Sequence, residues 1–539
     1  MYDMNFISEK TIKNINFDFI LNEIKPITEY GNNIKKITVP YTKGQEKRLL
    51  EELEKVNTFI KLENKRKFIE IFKHIKNITK VIENVKNDLV LDDVELFEIK
   101  NFLILLKKIK TILKQSSITY DDLSIIPLTH VYELLDPCNE KVNTFYIYDD
   151  YSINLKEIRY NIKQTEKKIN YLKKEIKNEL ENKYSVKFNF RNEITVNKID
   201  KDRIEKLLSE KRIRISRENY ITYVLTINNS EVIDDYEKKL EKLKLEEKEE
   251  EYNIRQEISR EIKNNYDDFQ HNFNSIGRID YIIAKANYAI KTNSTMPQIS
   301  NDLEFIIKEG RNLKLEKALK DKDKEYTPID VSLNKNVICI TGANMGGKTV
   351  SLRMIGQIAA CVSYGMFVPC NYAKVCLFEH IYISVGDEQS IEKGLSSFGA
   401  EIVNLKEAID NSNKRSLILI DELAGGTNPK EGYAITKAVV NYLKKRNCIT
   451  IITTHYDNVV DNEIQNLQVA GLKLPKGDII NNFNEISKYM DYRLIEVKNE
   501  GTVPKDALNI ATIVGIKDEI IKEAEKYLIY HSELPNASL

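Results

Sequence analysis

The chain has 539 residues, with 82 Lys and Arg against 82 Asp and Glu, so its formal net charge is zero. This length allows about two to four domains and ample chain for a core. The balanced charge excludes a global polycation, so any contact with nucleic acid must come from a local patch. Charged residues reach 30%, while Gly (19) and Pro (11) are sparse. That mixture favours long solvated helices over a β-sandwich. Cys138, Cys339, Cys361, Cys370, Cys376 and Cys448 contain no C-x-x-C pair and read as reduced, packed thiols of a cytosolic protein. No secretory signal opens the chain and no apolar run is long enough to span a bilayer, which predicts a cytoplasmic location and no membrane partner.

Residues 1 to about 120 read as helices. Leu49 to Ile75 and Val94 to Leu113 carry apolar residues at i, i+3, i+4 spacing with charged opposite faces. Ser117 to Pro127 breaks the pattern. A long, highly charged helix runs from Asn154 to about Leu180, and a second from about Tyr236 to Ile262. Both are too polar to be buried on all sides, which predicts an antiparallel pair of arms. Between them the period changes: Val186–Phe190 and Ile221–Ile227 read as strands, with a helical piece at Lys201–Leu208. The arms therefore end in a small α/β or β tip. Helix returns after Asn274, with Ile276 to Ala289 apolar and rich in small residues.

From about Asn301 to Met490 β-branched runs alternate with helices, as in an α/β nucleotide-binding fold. Within it, Gly342, Gly347, Lys348 and Thr349 fill the pattern G-x-x-x-x-G-K-[ST] directly after an apolar run. Glycines let backbone N–H groups turn inward around a polyphosphate. Lys348 would reach the β/γ-phosphates and the Thr349 hydroxyl would ligate Mg²⁺, with Val350 onward forming a helix whose N-terminus faces the anion. ATP and Mg²⁺ are thus the predicted cofactors. Ser416–Ile420 is an apolar strand ending in Asp421 and Glu422. Asp421 would hold the metal, and Glu422 is the candidate general base toward attacking water. A further strand, Ile449–Ile452, ends in the polar triplet Thr453-Thr454-His455, and His455 resembles in its position the γ-phosphate sensor of ABC-type ATPases. The tail, Ala507 to Tyr530, reads as two helices joined at Gly515.

Thr341-Gly342-Ala343-Asn344-Met345-Gly346-Gly347-Lys348-Thr349 with Val350-Ser351-Leu352-Arg353 resembles the phosphate loop of the MutS family of ABC-type ATPases. Asp421 through Gly432 resembles that family's extended Walker B and D-loop. Gly386-Asp387-Glu388-Gln389-Ser390-Ile391 and Leu395-Ser396-Ser397-Phe398 resemble its signature segment, and Thr453-Thr454-His455 its histidine motif. The wording is nearer the branch that often carries a C-terminal nuclease-like Smr domain than the mismatch-sensing branch. Ile7 through Tyr30 and Ile276-Gly277-Arg278-Ile279-Asp280-Tyr281 resemble the helical core, and the arms occupy the place of the clamp. Against the family pattern, the sequence begins at the core, without mismatch-recognition and connector domains, leaves no room for an Smr domain, and has Ala343 where proline is usual.

The resemblance implies a multidomain fold: an all-α core or lever with a long helical arm pair and a small β-containing clamp tip, then an α/β P-loop ATPase domain and a short helical tail. The expected divisions are 1–150 (core), 151–265 (clamp arms and tip), 266–300 (return helix), 301–500 (ATPase) and 501–539 (dimerisation element). It implies a homodimer in which the loop from Gly342 through Val350 binds ATP and Ser396 caps the nucleotide of the partner subunit. DNA is the implied ligand. The tip run Lys211, Arg212, Arg214 and Arg217 would supply phosphate contacts, with strand alternation setting Arg212 and Arg214 on one face and Lys211 and Arg217 on the other. Glu246, Glu247, Glu249, Glu250 and Glu251 on the second arm would repel a duplex. Three readings stay open: an ATP-driven DNA clamp without mismatch reading, an ATPase that remodels a protein partner, and a structural dimer with a decayed site.

Overall fold

The computed structural model describes residues 6–138, 144–342, 347–385, 397–425, 427–456, 458–472, 490–497, 508, 511–512 and 515–532. The chain divides into two compact units, one formed by Met1–Lys73 with Asn274–Leu539 and the other by His74–Phe273.

In the first unit the apolar periodicity before residue 75 becomes two helices, Glu46–Lys61 and Lys65–Phe72, broken between them at Leu62–Asn64. Phe59, Phe68 and Phe72 fill the seam. The short helix Glu29–Ile37 is fastened at its start by Asp280. That buried carboxylate accepts from the backbone N–H of Ile27 and Thr28 and from the Thr28 hydroxyl at 2.6–3.0 Å. Thr28 in turn caps the helix by accepting from Gly31 N. A side chain at Gly31 would lie 2.4 Å from Asp280 Oδ2, and one at Gly277 would lie 2.7 Å from Tyr30 O, so both glycines are close-approach positions.

The α/β region of this unit contains a six-stranded sheet in the order Met490–Glu496, Gln465–Leu472, Val337–Thr341, Cys448–Thr453, Ser416–Ile420, His380–Ser384. All neighbours are parallel except the first pair. The strands Val337–Thr341, Cys448–Thr453, Ser416–Ile420 and His380–Ser384 are buried at every residue. A parallel sheet covered on both faces requires that, which is why these runs read as continuous apolar β-branched segments instead of alternating ones. A four-stranded sheet adjoins in sequence, in the order Gln298–Ser300, Tyr372–Cys376, Phe305–Gly310, Ile329–Leu333.

In the second unit, the helix Asp93–Gln115 begins with a capping box between Asp92 and Glu95 and packs Phe102 against Phe269 and Phe273. The arms are the helices Ile153–Tyr184 and Glu231–Asn264. They run antiparallel: Ser152 reaches Glu250, Arg159 reaches Glu247 and Glu251, Lys244 reaches Glu166, and Lys173 reaches Glu237. Few apolar residues meet between them, chiefly Ile158, Ile162 and Leu243. Cross-arm charge pairs line the seam beside this small cluster. The acidic stretch expected to repel DNA is in part an internal device, since Arg159 engages Glu247, Glu251 and Asp149 together.

The tip is a three-stranded antiparallel sheet, Glu193–Asn197, Thr222–Ile227 and Ile213–Glu218 in that order, with the helix Lys201–Leu208. Two expectations are corrected here. Val186–Phe190 is not a strand: Val186 and Phe188 bury their side chains in the tip core, which gives the alternation, but the backbone joins no sheet. The basic run also departs from simple alternation. Arg212 precedes the strand, and a bulge between Ile215 and Arg217 sets Arg217 opposite Val224 while Arg214 lies opposite Thr226. Arg214 and Arg217 consequently share a face, because the extra residue reverses the alternation.

Candidate functional site

The ends of three neighbouring parallel strands, Val337–Thr341, Cys448–Thr453 and Ser416–Ile420, open on the same edge of the sheet, where α/β folds hold ligands. The first leads into Gly342, with φ of +132°, and then into Gly347, with φ of +87°, which caps the helix Lys348–Ser363. Both conformations favour glycine. A Cβ at Gly342 would lie 3.2 Å from the Val469 side chain and one at Gly347 3.2 Å from the Tyr492 ring. Ala343, Asn344, Met345 and Gly346 lie outside the described residues, as does Ser396. Val350 stands in the first turn of the helix.

Lys348 is buried, its ammonium donating to Gly342 O at 2.8 Å and lying 3.5 Å from Glu422 Oε1. Thr349 Oγ1 donates to Asp421 Oδ2 at 2.5 Å. The other carboxylate oxygen of Asp421 accepts from Thr453 Oγ1 at 2.6 Å. That hydroxyl also accepts from the Glu422 N–H at 2.9 Å, and the Asp421 N–H donates to Ser384 O at 2.8 Å. Glu422 is partly exposed and has φ of +48°. The structure thus brings together Gly342, Gly347, Lys348, Thr349, Asp421 and Glu422. His455 is exposed on the neighbouring strand end, its ring 4.5 Å from that of Tyr456.

These residues fit a magnesium-bound polyphosphate. The helix N-terminus and its left-handed glycine form an anion site, the lysine supplies a buried cation, and the hydroxyl–carboxylate pair offers the hard oxygen donors Mg²⁺ requires. Sequence reasoning missed Thr453, whose only signal was its membership of the Thr453-Thr454-His455 triplet. It also missed Glu401 and Tyr456, which grip the turn after Glu422: Ala424 N donates to Glu401 Oε1 at 2.7 Å and Tyr456 Oη donates to Ala424 O at 3.0 Å. Burial pushes the Glu401 carboxyl up, with the Ala424 N–H opposing.

The expected DNA residues belong to the other unit. Arg212 is engaged by Glu179 and Glu210, and Arg217 by Glu193 at 2.9 Å. Lys211 and Arg214 are exposed.

The strand Val337–Thr341, the bounding glycines Gly342 and Gly347, the helix Lys348–Ser363 and the carboxylate-tipped neighbouring strand together form the ligand edge of an α/β domain. Residues 338–531 match the family model described as MutS domain V. The chain is 27% identical over 556 residues to a protein named endonuclease MutS2 from Caldanaerobacter subterraneus subsp. tengcongensis, covering 97% of this chain and 65% of that protein. Endonuclease MutS2 of Fusobacterium nucleatum is 34% identical over 54% of this chain and 36% of its own length. That of Caldicellulosiruptor saccharolyticus is 37% identical over 40% and 27%. These matches show that the chain is similar to MutS-family proteins. The chain spans less than two thirds of the length of these relatives. No helix among the described residues is long and apolar enough to cross a membrane.

Proposed function

We propose that this chain is a MutS-like ATPase that works as a homodimer, binds DNA, and couples ATP turnover to the conformation of its arms. The observation that carries the reading is the double hold on Asp421 by Thr349 and Thr453, with Glu422 beside Lys348. Bound ATP with Mg²⁺ supplies a γ-phosphoryl group for transfer to water. Lys348 and the helix N-terminus would balance phosphate charge, Thr349 and Asp421 would hold the metal, and Glu422 would take a proton from water. His455 contributes a polar contact on the phosphate side, and Ser396 of the partner subunit closes the site.

DNA is favoured as the ligand by the family similarity and by the exposed Lys211 and Arg214 of the tip. A second reading, in which the arms hold a protein, draws on a specific feature of that tip. Arg212, Arg217 and Lys198 are all engaged by glutamates, while Ile199, Tyr220 and Ile221 stand exposed. The deciding experiment is the ATPase rate with homoduplex, mismatched, four-way-junction and single-stranded DNA at fixed low salt. Stimulation that fades with added salt supports the DNA reading. A basal rate that none of these DNAs alters supports the protein reading, and no hydrolysis at all rejects both.

A further inference from the structure

The turn that follows Glu422 holds two residues in the left-handed region without being glycine, Glu422 at φ +48° and Ala424 at φ +59°. Such residues persist when their surroundings over-determine them, and they gather at functional sites. The surroundings here are specific. Thr453 accepts from the Glu422 N–H, Gly425 N donates to Glu422 O at 3.1 Å, and Thr436 Oγ1 donates to Leu423 O at 3.2 Å. The Ala424 peptide is gripped on both sides, its N–H by Glu401 and its carbonyl by the Tyr456 hydroxyl. The Tyr456 hydroxyl also lies where a side chain at Gly432 would need to be, 2.1 Å from an added Cβ, so only glycine at 432 lets it reach Ala424.

The two grips come from different elements. Glu401 is on the helix Ser397–Asp410, which follows the signature segment in sequence. Tyr456 is next to His455, and the two rings lie 4.5 Å apart at a tilt of 41°. We infer that Glu401 and Tyr456 are positioning residues which, by latching the Ala424 peptide, set the direction of the Glu422 carboxylate and tie it to both the signature helix and the histidine strand end. Neither touches the reacting atoms. Movement of either element would then turn Glu422 toward or away from water, which makes the latch a means of regulating hydrolysis separately from nucleotide binding. The assignment of hydrolysis to Glu422 rests on the function proposed above; the latch itself does not.

The test uses the full chain with Glu401→Leu, Glu401→Gln and Tyr456→Phe, read by amide hydrogen exchange at Ala424, by ATP affinity and by single-turnover hydrolysis. Glu401→Leu should speed exchange of the Ala424 amide and slow hydrolysis about tenfold with ATP affinity kept. Glu401→Gln should restore both, because its amide oxygen still accepts from Ala424 N. Tyr456→Phe should slow hydrolysis to a similar degree and keep ATP affinity, and it serves as the test if Glu401→Leu does not fold. In a Glu422→Gln background, Glu401→Leu should cause no further loss. Unchanged exchange in Glu401→Leu, failure of Gln to rescue, or a loss that appears equally in ATP affinity would overturn the latch. If the wild-type chain hydrolyses no ATP while Glu401→Leu still speeds exchange of the Ala424 amide, the proposed function is rejected and the latch stands.

Discussion

Thr453 joins the two acidic residues of the site: its hydroxyl donates to Asp421 Oδ1 at 2.6 Å and accepts from the Glu422 N–H at 2.9 Å. It is fully buried, so water cannot replace either bond. Thr453→Val keeps the shape and removes both, leaving Asp421 with the Thr349 hydroxyl. The expected cost is about 1–3 kcal/mol in stability by urea unfolding, with a higher Mg²⁺ requirement for turnover. Thr453→Ser should retain near-normal values. Equal Mg²⁺ titrations for the Val and Ser variants would reject a role in holding Asp421.

Lys348 and Glu422 lie 3.5 Å apart yet are expected to fail differently. Lys348→Ala removes the buried cation and should abolish productive ATP binding, measured by nucleotide titration. Glu422→Gln keeps the loop and should retain ATP while turnover falls by about a hundredfold or more, the scale on which a positioned general base contributes. Brisk turnover in Glu422→Gln would remove the general-base assignment.

A buried ion cluster ties the helix Glu46–Lys61 to the far end of the P-loop helix. Glu52 meets Lys285 at 2.9 Å and Arg278 at 2.7 Å, and Lys285 also donates to Tyr364 O at the C-cap of Lys348–Ser363. Burial alone would raise the Glu52 carboxyl, but Lys285 and Arg278 outweigh it and hold it down at about 2. A carboxyl held down in the folded state contributes stability above its ordinary value of 4.5 and loses that contribution as pH falls toward 2. Stability measured by urea unfolding should therefore drop across that window in the wild type. Glu52→Gln should flatten this part of the drop and cost about 3–5 kcal/mol near neutral pH, since it leaves buried Lys285 without its counter-charge.

The tip arginines should separate in their effects. Arg212→Ala breaks the pairs with Glu179 and Glu210 and should loosen the tip, with little change in any salt slope for DNA. Lys211→Ala with Arg214→Ala should lower the slope by roughly one to two, about one for each phosphate that is no longer neutralised. Filter binding of duplex DNA across a salt series gives both values. A larger slope change in Arg212→Ala would mean that its internal pairs give way to phosphate.

Much of the fold was legible because its signals are local. The fully buried parallel strands announce themselves as unbroken apolar runs, and Gly347 before Lys348 marks a left-handed helix cap that few other residues tolerate. The arms showed through their charge, as sparse apolar positions rule out full burial. Val186–Phe190 misled because a side chain can alternate into a core without its backbone joining a sheet. The Arg214–Arg217 relationship was hidden because a bulge adds one residue and leaves no clear mark in composition.

By itself, the sequence determined which residues could bear the chemistry: a glycine-bounded loop before Lys348 and Thr349, a carboxylate pair after an apolar strand, and a polar triplet after another. Each is a short-range pattern, so each survives reading in one dimension. Only the tertiary structure decided what holds them. Thr453, Glu401 and Tyr456 reach Asp421, Glu422 and Ala424 from 23 to 32 residues away in the chain. Those contacts depend on the order in which strands join the sheet and on where the helix Ser397–Asp410 lies, and no local pattern encodes either.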